Sequence, residues 1–257
     1  MSEQINAGII SAFEHGIVRS TSLMPNGQAF DNAVNLAKEH PELGVGIHIS
    51  LVDETPISSA LNSLPDSYKA LALCLLTGRI KRRGLAVECR SQIEKILSTG
   101  IRPTHLDSHQ HVHILPALSS IIVDLAVQYT IPGIRIPLDH SASQLSARGM
   151  QIVVSRVLSR KLSEKAINAG LRIVDRFFGL AESGHVNENV ILHTIAKSSN
   201  GINELMCHPG FDDPQTSGRY KWGYTWDAEV KALCSERVLE AVRESKITLT
   251  SFAQVWT

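Results

Sequence analysis

Cysteines and aromatic residues are sparse in this chain, and the cysteines do not form a framework. The four cysteines are scattered along 257 residues without a Cys-x-x-Cys pair. This spacing excludes a disulfide-stapled fold or a zinc knuckle, and we interpret the thiols as small buried side chains in a reducing cytosol. Aromatic residues make up only 5% of the chain, which disfavours an extended stacking groove for long glycans.

Long apolar runs and an excess of one charge are also absent. No apolar segment approaches the roughly 18 residues of a membrane span, and the N-terminus lacks the layout of a signal peptide. We therefore predict a soluble cytoplasmic protein. The 25 basic residues balance 25 acidic ones, so the chain has no general attraction for nucleic acid or an anionic membrane. Without a G-x-S-x-G, G-x-G-x-x-G or Walker motif, serine-hydrolase and nucleotide chemistry lack support.

The first part of the chain alternates between helical and extended patterns. A helix is predicted over 1–16 with Ser2 as its N-cap, an extended run over 17–24, a helix ending near His40, and a buried strand over 43–51. This α-β-α-β order indicates parallel strands joined by crossover helices. We predict a single α/β domain over 1–257, because the sequence contains no repeat or linker.

Later segments are less regular. Residues 53–84 are weakly patterned and are predicted to cross one rim of the fold, whereas 145–170 should contain one or two helices. A single helix over 226–245 and a closing strand over 247–252 complete the prediction.

A histidine-rich run dominates the middle of the sequence. Between residues 105 and 113, four histidines and one aspartate occupy every second position. In an extended segment alternate side chains point the same way, so we expect all five on one face. Imidazole and carboxylate groups are ligands for Zn, Fe, Co, Ni or Mn, and the repeated spacing favours a metal site over packed structural histidines.

Two further histidines end apolar segments elsewhere. His48 lies near the end of the predicted strand 43–51, and His208 follows the apolar segment 202–207. The carboxyl ends of parallel strands meet on one rim, so we expect these imidazoles to converge with the histidine run. Such a centre permits hydrolysis, with His208 a candidate acid for the leaving group. A satisfied structural histidine is the alternative at each position.

At these residues the chain resembles the YdjC family of carbohydrate deacetylases, which includes chitooligosaccharide deacetylase. Four segments match the family: 16–24 (Gly-Ile-Val-Arg-Ser-Thr-Ser-Leu-Met), 44–48 (Gly-Val-Gly-Ile-His), 103–113 and 204–210 (Glu-Leu-Met-Cys-His-Pro-Gly). The resemblance implies an irregular TIM-like (β/α) barrel. It also implies metal-dependent removal of an acetyl group from an N-acetylated sugar or oligosaccharide.

The resemblance also implies roles for individual residues. His48 and His109 would bind the metal, and the catalytic residues would be His208, as the acid, and Asp107. The supporting or substrate-facing groups would be His105, His111 and Arg135. The cofactor would be one divalent ion, Mg or Zn; Mg is often assigned to this family, although imidazole ligands suit Zn better.

The sequence departs from the family at its N-terminus. Family members begin with a strand ending Asn-Ala-Asp-Asp-Phe-Gly, and those aspartates are expected to supply the remaining metal ligand and the general base. Neither aspartate is present here, and Asp31, Asp53 and Asp107 belong to other motifs. We therefore expect the first barrel strand to be missing and the activity to be impaired. A start codon assigned too late, a truncation and a real loss remain the alternatives.

Competing functions follow from the same residues. The chain could be a non-catalytic remnant that binds metal or sugar, or another metal hydrolase such as a phosphoesterase. A phosphoesterase would be expected to have more carboxylates at its strand ends than this sequence contains. The expected partner is a small N-acetylated carbohydrate, and the sequence does not decide between a monomer and a homodimer.

Overall fold

The structure, a computed structural model, describes residues 1–139 and 149–256. The described strands are β1 (Ser20–Leu23), β2 (Gly44–Ile49), β3 (His105–Ser108), β4 (Gly133–Ile134), β5 (Arg176–Phe178) and β6 (Asn203–Leu205). The helices up to β4 are α1 (Glu3–Glu14), α2 (Phe30–Glu39), α3 (Tyr68–Leu76), α4 (Arg82–Leu97) and α5 (Pro116–Gln128). The later helices are α6 (Gly149–Asn168), α7 (Glu188–Lys197), α8 (Pro214–Arg219), α9 (Trp226–Leu233), α10 (Glu236–Glu244) and α11 (Phe252–Val255).

All strand pairs in the described residues are parallel, as the helix–strand alternation predicts. The first four strands pair in the order β1-β2-β3-β4, and β5 pairs with β6. Isolated parallel bridges join Gly133 of β4 to Arg172, which precedes β5, and Asp139, which follows β4, to Phe177 of β5. The α/β prediction is therefore confirmed, and the carboxyl ends of the strands lie on one side of the molecule.

The middle strands are buried on both faces, which explains their composition. Val45, Ile47 and Ile49 of β2 are at most 6% exposed, and Leu106 of β3 is fully buried. A parallel sheet covered by helices on both faces requires such nearly continuous apolar strands. A polar side chain in these strands, such as His48, therefore needs a partner or a function.

Helix boundaries agree with local sequence signals. Ser2 precedes α1, and its hydroxyl accepts a hydrogen bond from the backbone N–H of Ile5 at 3.3 Å. Pro116 occupies the first turn of α5, where a missing N–H costs nothing. No helix in the described parts of the chain is long and apolar enough to cross a membrane.

The prediction that the histidine run is extended throughout is wrong. The strand ends at Ser108, and residues 109–114 form a 3-10 turn. Gln110 and His111 have φ values of 50° and 52°, so the chain changes direction there and the five side chains cannot share one face. A left-handed backbone at two non-glycine residues is not foreseeable from an alternating pattern.

Three other segments differ from the sequence prediction. Residues 53–84 contain a helix, α3, whose N-cap Ser67 accepts from the backbone N–H of Ala70. The predicted helix over 226–245 is two helices, because α9 ends at Leu233 and Ser235 caps the start of α10. The predicted strand over 247–252 does not form, since α11 begins at Phe252. One or two helices were predicted over 145–170; residues 149–168 form the single helix α6, and 145–148 lie outside the described residues.

Candidate functional site

A cavity of about 800 Å³ lies between β1, β2 and β6. The C-terminal residues 246–252 and the side chains of α1 and α2 cover much of its apolar wall. Its polar lining includes residues predicted for the site: His48, His105, Asp107, Arg135 and His208. The structure therefore brings side chains from four separate parts of the chain to one cavity, as strand-end convergence predicts.

A chain of hydrogen-bonded polar and charged side chains runs through the site. In the β2–β3 register His48 lies opposite Asp107, and His48 Nδ1 is 2.8 Å from Asp107 Oδ1. The other Asp107 oxygen accepts from Arg135 Nη1, and Arg135 Nε donates to Glu204 Oε1 at 2.6 Å. This series links β2, β3, the residue after β4, and β6. Glu204 was not predicted as a site residue.

The two carboxylates of this chain differ electrostatically. Burial alone would raise the pKa of Asp107, but the charges of Arg135 and His48 outweigh burial and hold it well below its usual range. Burial raises the pKa of Glu204, and Arg135 offsets this only in part. The second oxygen of Glu204, Oε2, has no hydrogen-bond partner among the described residues. Asp107 is therefore the firmly ionised partner of Arg135.

His109 lies where β3 ends and the turn begins. Its ring centroid is 5.8 Å from that of His48 and 5.0 Å from that of Trp222. The side chain is buried, and within the described chain its Nε2 finds no hydrogen-bond partner. Burial, and then the charge of His48, lower the pKa of His109 to about 3. A neutral imidazole with an unpartnered nitrogen is suited to accept a hydrogen bond or bind a cation.

His208 follows β6, and a residue from α9 holds its backbone. Its N–H donates to Glu229 Oε2 at 2.5 Å, while the N–H of Val186 donates to Glu229 Oε1 at 3.0 Å. The His208 ring lies 4.9 Å from that of Tyr224, and its Nδ1 is buried without a partner in the described residues. Burial, followed by the charge of Arg135, lowers the pKa of His208 to about 3.

Of the two predicted substrate-facing histidines, His105 is buried and His111 is half-buried. Both ring nitrogens of His105 are hydrogen-bonded, Nε2 with Ser22 and Nδ1 with Thr104, each at 2.9 Å. His111 is on the turn, 6.4 Å from the ring of Phe177, and its Nδ1 has no partner in the described residues. The contacts of His105 account for its burial without a substrate. The roles predicted for both residues remain predictions.

The described residues fit a metal ion only in part. Asp107 occupies Nδ1 of His48, which leaves the other His48 nitrogen available, and His109 Nε2 is unpartnered in the described chain. A carboxylate that orients a ligating imidazole in this way is common at metal sites. Across residues 1–139 and 149–256, however, no three His, Cys, Asp or Glu side chains form a group that could hold a metal. Two imidazoles therefore fit, and the full ligand set stays a prediction.

Sequence reasoning missed an aromatic cluster and two buried carboxylates beside the site. The cluster comprises Tyr220, Trp222, Tyr224 and Trp226, with neighbouring ring centroids 4.5–6.1 Å apart. The sequence has an aromatic residue at every second position from 220 to 226, and this pattern could have predicted the cluster. The low aromatic content of the whole chain does not show it. Glu204 and Glu229 had no comparable signal, because only the tertiary contacts show their partners.

Comparisons with known proteins agree with this architecture. The model of the YdjC-like protein family matches residues 1–244. A carbohydrate deacetylase of Clostridium beijerinckii is 31% identical over 99% of this chain and 96% of its own length. A chitooligosaccharide deacetylase of Yersinia enterocolitica is 34% identical, over 96% of this chain and 92% of its own.

A solved structure supports the fold. It is that of a protein from Enterococcus faecalis, described as a proposed cellobiose-phosphate cleavage protein. It has a TM-score of 0.77 at 24% identity and covers all of this chain and 95% of its own. This similarity fits the predicted irregular TIM-like (β/α) barrel. The matches extend along the whole chain and include the segments that form the cavity, and this protein belongs to the YdjC-like family.

Proposed function

We propose that this protein removes the acetyl group from an N-acetylated carbohydrate. Relatives that align with nearly its whole length are named carbohydrate deacetylase and chitooligosaccharide deacetylase. The observation that carries the proposal is the grouping of His48, Asp107 and His208 at one cavity, with His109 beside His48. Hydrolysis of an acetamide requires proton transfer to the departing amine, and imidazoles at a strand-end cavity can provide it.

The proposed reaction uses one divalent metal ion, which His48 and His109 would hold. Such an ion polarises a carbonyl group and lowers the pKa of water. Imidazole ligands favour Zn over Mg as its identity. Water and a substrate oxygen would complete the coordination, because no three His, Cys, Asp or Glu side chains of the described residues form a group that could hold a metal.

Asp107 and Arg135 position the site. Asp107 is ionised and can only accept, so His48 must donate from Nδ1 and keep the lone pair of Nε2 for the cavity side. Arg135 holds the second Asp107 oxygen and prevents that carboxylate from turning. Since both oxygens of Asp107 are engaged, its contribution is to fix the tautomer and orientation of His48.

His208 is the proposed proton carrier for the leaving amine. Its pKa of about 3 means that the ring is neutral at pH 7. It must therefore take up a proton, most directly from the attacking water, before it can protonate the sugar nitrogen. A neutral imidazole can perform both steps in turn, and its unpartnered Nδ1 leaves a ring nitrogen for this task.

The test measures acetate release from N-acetylglucosamine oligomers by the full chain, with Zn or Mg added. His208→Gln should lower kcat by roughly 10²–10⁴-fold, whereas His15→Gln, at an exposed histidine, should leave it unchanged. Calorimetry gives a second readout, since His48→Gln and His109→Gln should each weaken zinc binding. Full activity of the His208 variant would refute its role, and absence of acetate release from the wild type with metal would refute the function.

A second candidate is a non-catalytic protein that binds metal or sugar in the same cavity. It is favoured by one observation, that the described residues provide only two of the ligands a metal site needs. Zinc or chitobiose binding without any acetate release would support this candidate.

The proposed site of action is the cytoplasm. Cys74, Cys89, Cys207 and Cys234 are all free thiols, and free thiols are typical of reducing compartments.

A further inference from the structure

The aromatic cluster of Tyr220, Trp222, Tyr224 and Trp226 adjoins the candidate site at two points. The ring of Trp222 is 5.0 Å from that of His109, and the ring of Tyr224 is 4.9 Å from that of His208. The cluster contains two of the three tryptophans and two of the four tyrosines of the chain. Large apolar rings are thus concentrated beside His109 and His208, each of which has one ring nitrogen without a partner in the described residues.

Hydrogen bonds to two other loops hold this segment in place. Tyr220 donates to Glu54, and Glu54 also binds Arg219 at 2.5 Å. These contacts fix the first half of the segment against Glu54.

The second half is held against the loop after β5. The hydroxyls of Tyr224 and Ser183 are 3.0 Å apart, and the N–H of Thr225 donates to the carbonyl of Gly184 at 2.9 Å. A wall that is fixed before binding loses little conformational entropy when a ligand packs on it.

The four rings of the cluster differ in exposure. Tyr220 and Trp226 are only 5% and 4% exposed and belong to the packed interior. Trp222 and Tyr224 are both half-buried, and their rings lie next to those of His109 and His208, respectively. Burial therefore explains Tyr220 and Trp226, whereas the accessible indole beside an unpartnered imidazole is what a ligand could contact.

The geometry points to Trp222 as the stacking surface of a pyranose-binding site, with Tyr224 as the adjoining wall. This inference rests on the proposed function and adds to it the sugar ring next to the acetamide. A pyranose has an apolar C–H face and a rim of hydroxyl groups. An aromatic wall suits the first, and a polar group such as His208 suits the second.

A matched pair of variants tests this inference. Trp222→Phe keeps a flat ring, whereas Trp222→Leu keeps apolar volume without one. Isothermal titration of the full-length protein with N,N′-diacetylchitobiose should show binding by the Phe variant within about threefold of wild type, and about tenfold weaker binding by the Leu variant. Tyr129→Ala, at the far end of α5, is the control and should bind as the wild type does. Circular dichroism verifies that each variant is folded.

The outcomes separate this inference from the proposed function. Equal affinity of the Phe and Leu variants, or no binding of chitobiose by the wild type, would overturn the stacking role of Trp222 whether or not acetate is released. Chitobiose binding that depends on the ring, in a protein that releases no acetate, would support the sugar site and refute the deacetylase function.

Discussion

Asp107 and Glu204 both contact Arg135, yet removal of their charges should have unequal effects. We compare Asp107→Asn with Glu204→Gln, which are changes of equal size and chemistry. Asp107 is fully buried with both oxygens bonded to charged or polar partners, and its pKa is held well below the usual range despite burial. Glu204 uses one oxygen, and burial raises its pKa.

The structure sets the expected magnitudes. Asp107→Asn leaves Glu204 as the carboxylate partner of Arg135 and replaces a carboxylate that accepts on both oxygens by an amide. Breaking a buried ion pair costs about 3–5 kcal/mol. Glu204→Gln keeps an oxygen for Arg135 Nε and leaves the stronger pair intact, so its cost should stay near the ~1 kcal/mol of a weakened hydrogen bond. In a chain of this length, 3–5 kcal/mol corresponds to a melting temperature roughly 6–20 °C lower.

Urea unfolding at pH 7.5, followed by far-ultraviolet circular dichroism, measures both free energies of unfolding. Equal slopes against urea in the two variants would show that the compared states are the same. Equal losses of stability, or a larger loss for Glu204→Gln, would refute the assignment of Asp107 as the firmly ionised partner.

Three further changes test other contacts. Gly46→Ala should cost about 1–3 kcal/mol in thermal unfolding, because an added Cβ would lie 2.4 Å from a His105 ring that hydrogen bonds hold on both sides. Burial raises the pKa of Glu229 from 4.5 to about 7, so the folded state binds this proton more tightly than the unfolded state. The stability of the wild type relative to Glu229→Gln should therefore fall by up to about 3 kcal/mol as the pH rises from 4.5 to 7, in urea titrations at each pH. Ser235→Ala removes the cap that accepts from Val238 and should cost about 1 kcal/mol in the same assay.

Each of these has an outcome that would contradict it. An unchanged melting temperature for Gly46→Ala would mean that the His105 ring can move aside. A wild-type to Glu229→Gln difference that is flat, or that grows with pH, would contradict the raised pKa of Glu229. A Ser235→Ala variant as stable as wild type would show that the cap of α10 is replaced by water.

Local patterns were sufficient for much of the fold. Apolar spacing and caps placed α1 after Ser2, and a run of buried residues with a single histidine placed β2 correctly. These features depend on neighbours in sequence, which is why they could be predicted. The end of β3 could not be, because His109 continues the alternating pattern while the left-handed residues Gln110 and His111 end the strand.

The sequence was sufficient to predict which residues meet at the site, but not which of them contact one another. Strand ends indicated that His48, His109 and His208 would converge, and the structure places them around one region. The pairing of His48 with Asp107 depends on the register between β2 and β3, which no single strand specifies. Glu204 became a partner of Arg135 only through the approach of β6, a contact 69 residues apart in sequence.

The series of contacting side chains from His48 to Glu204 also has a mechanical consequence. It begins on β2 of the larger sheet and ends on β6 of the smaller one, crossing β3 and the residue after β4. If the two sheets separated, buried charges would lose their partners in an apolar interior. Local unfolding of either sheet alone therefore has a high free-energy cost. The amide hydrogens of β6 should therefore exchange as slowly as those of β2. This is expected although β6 has only three residues and pairs with a single strand among those described.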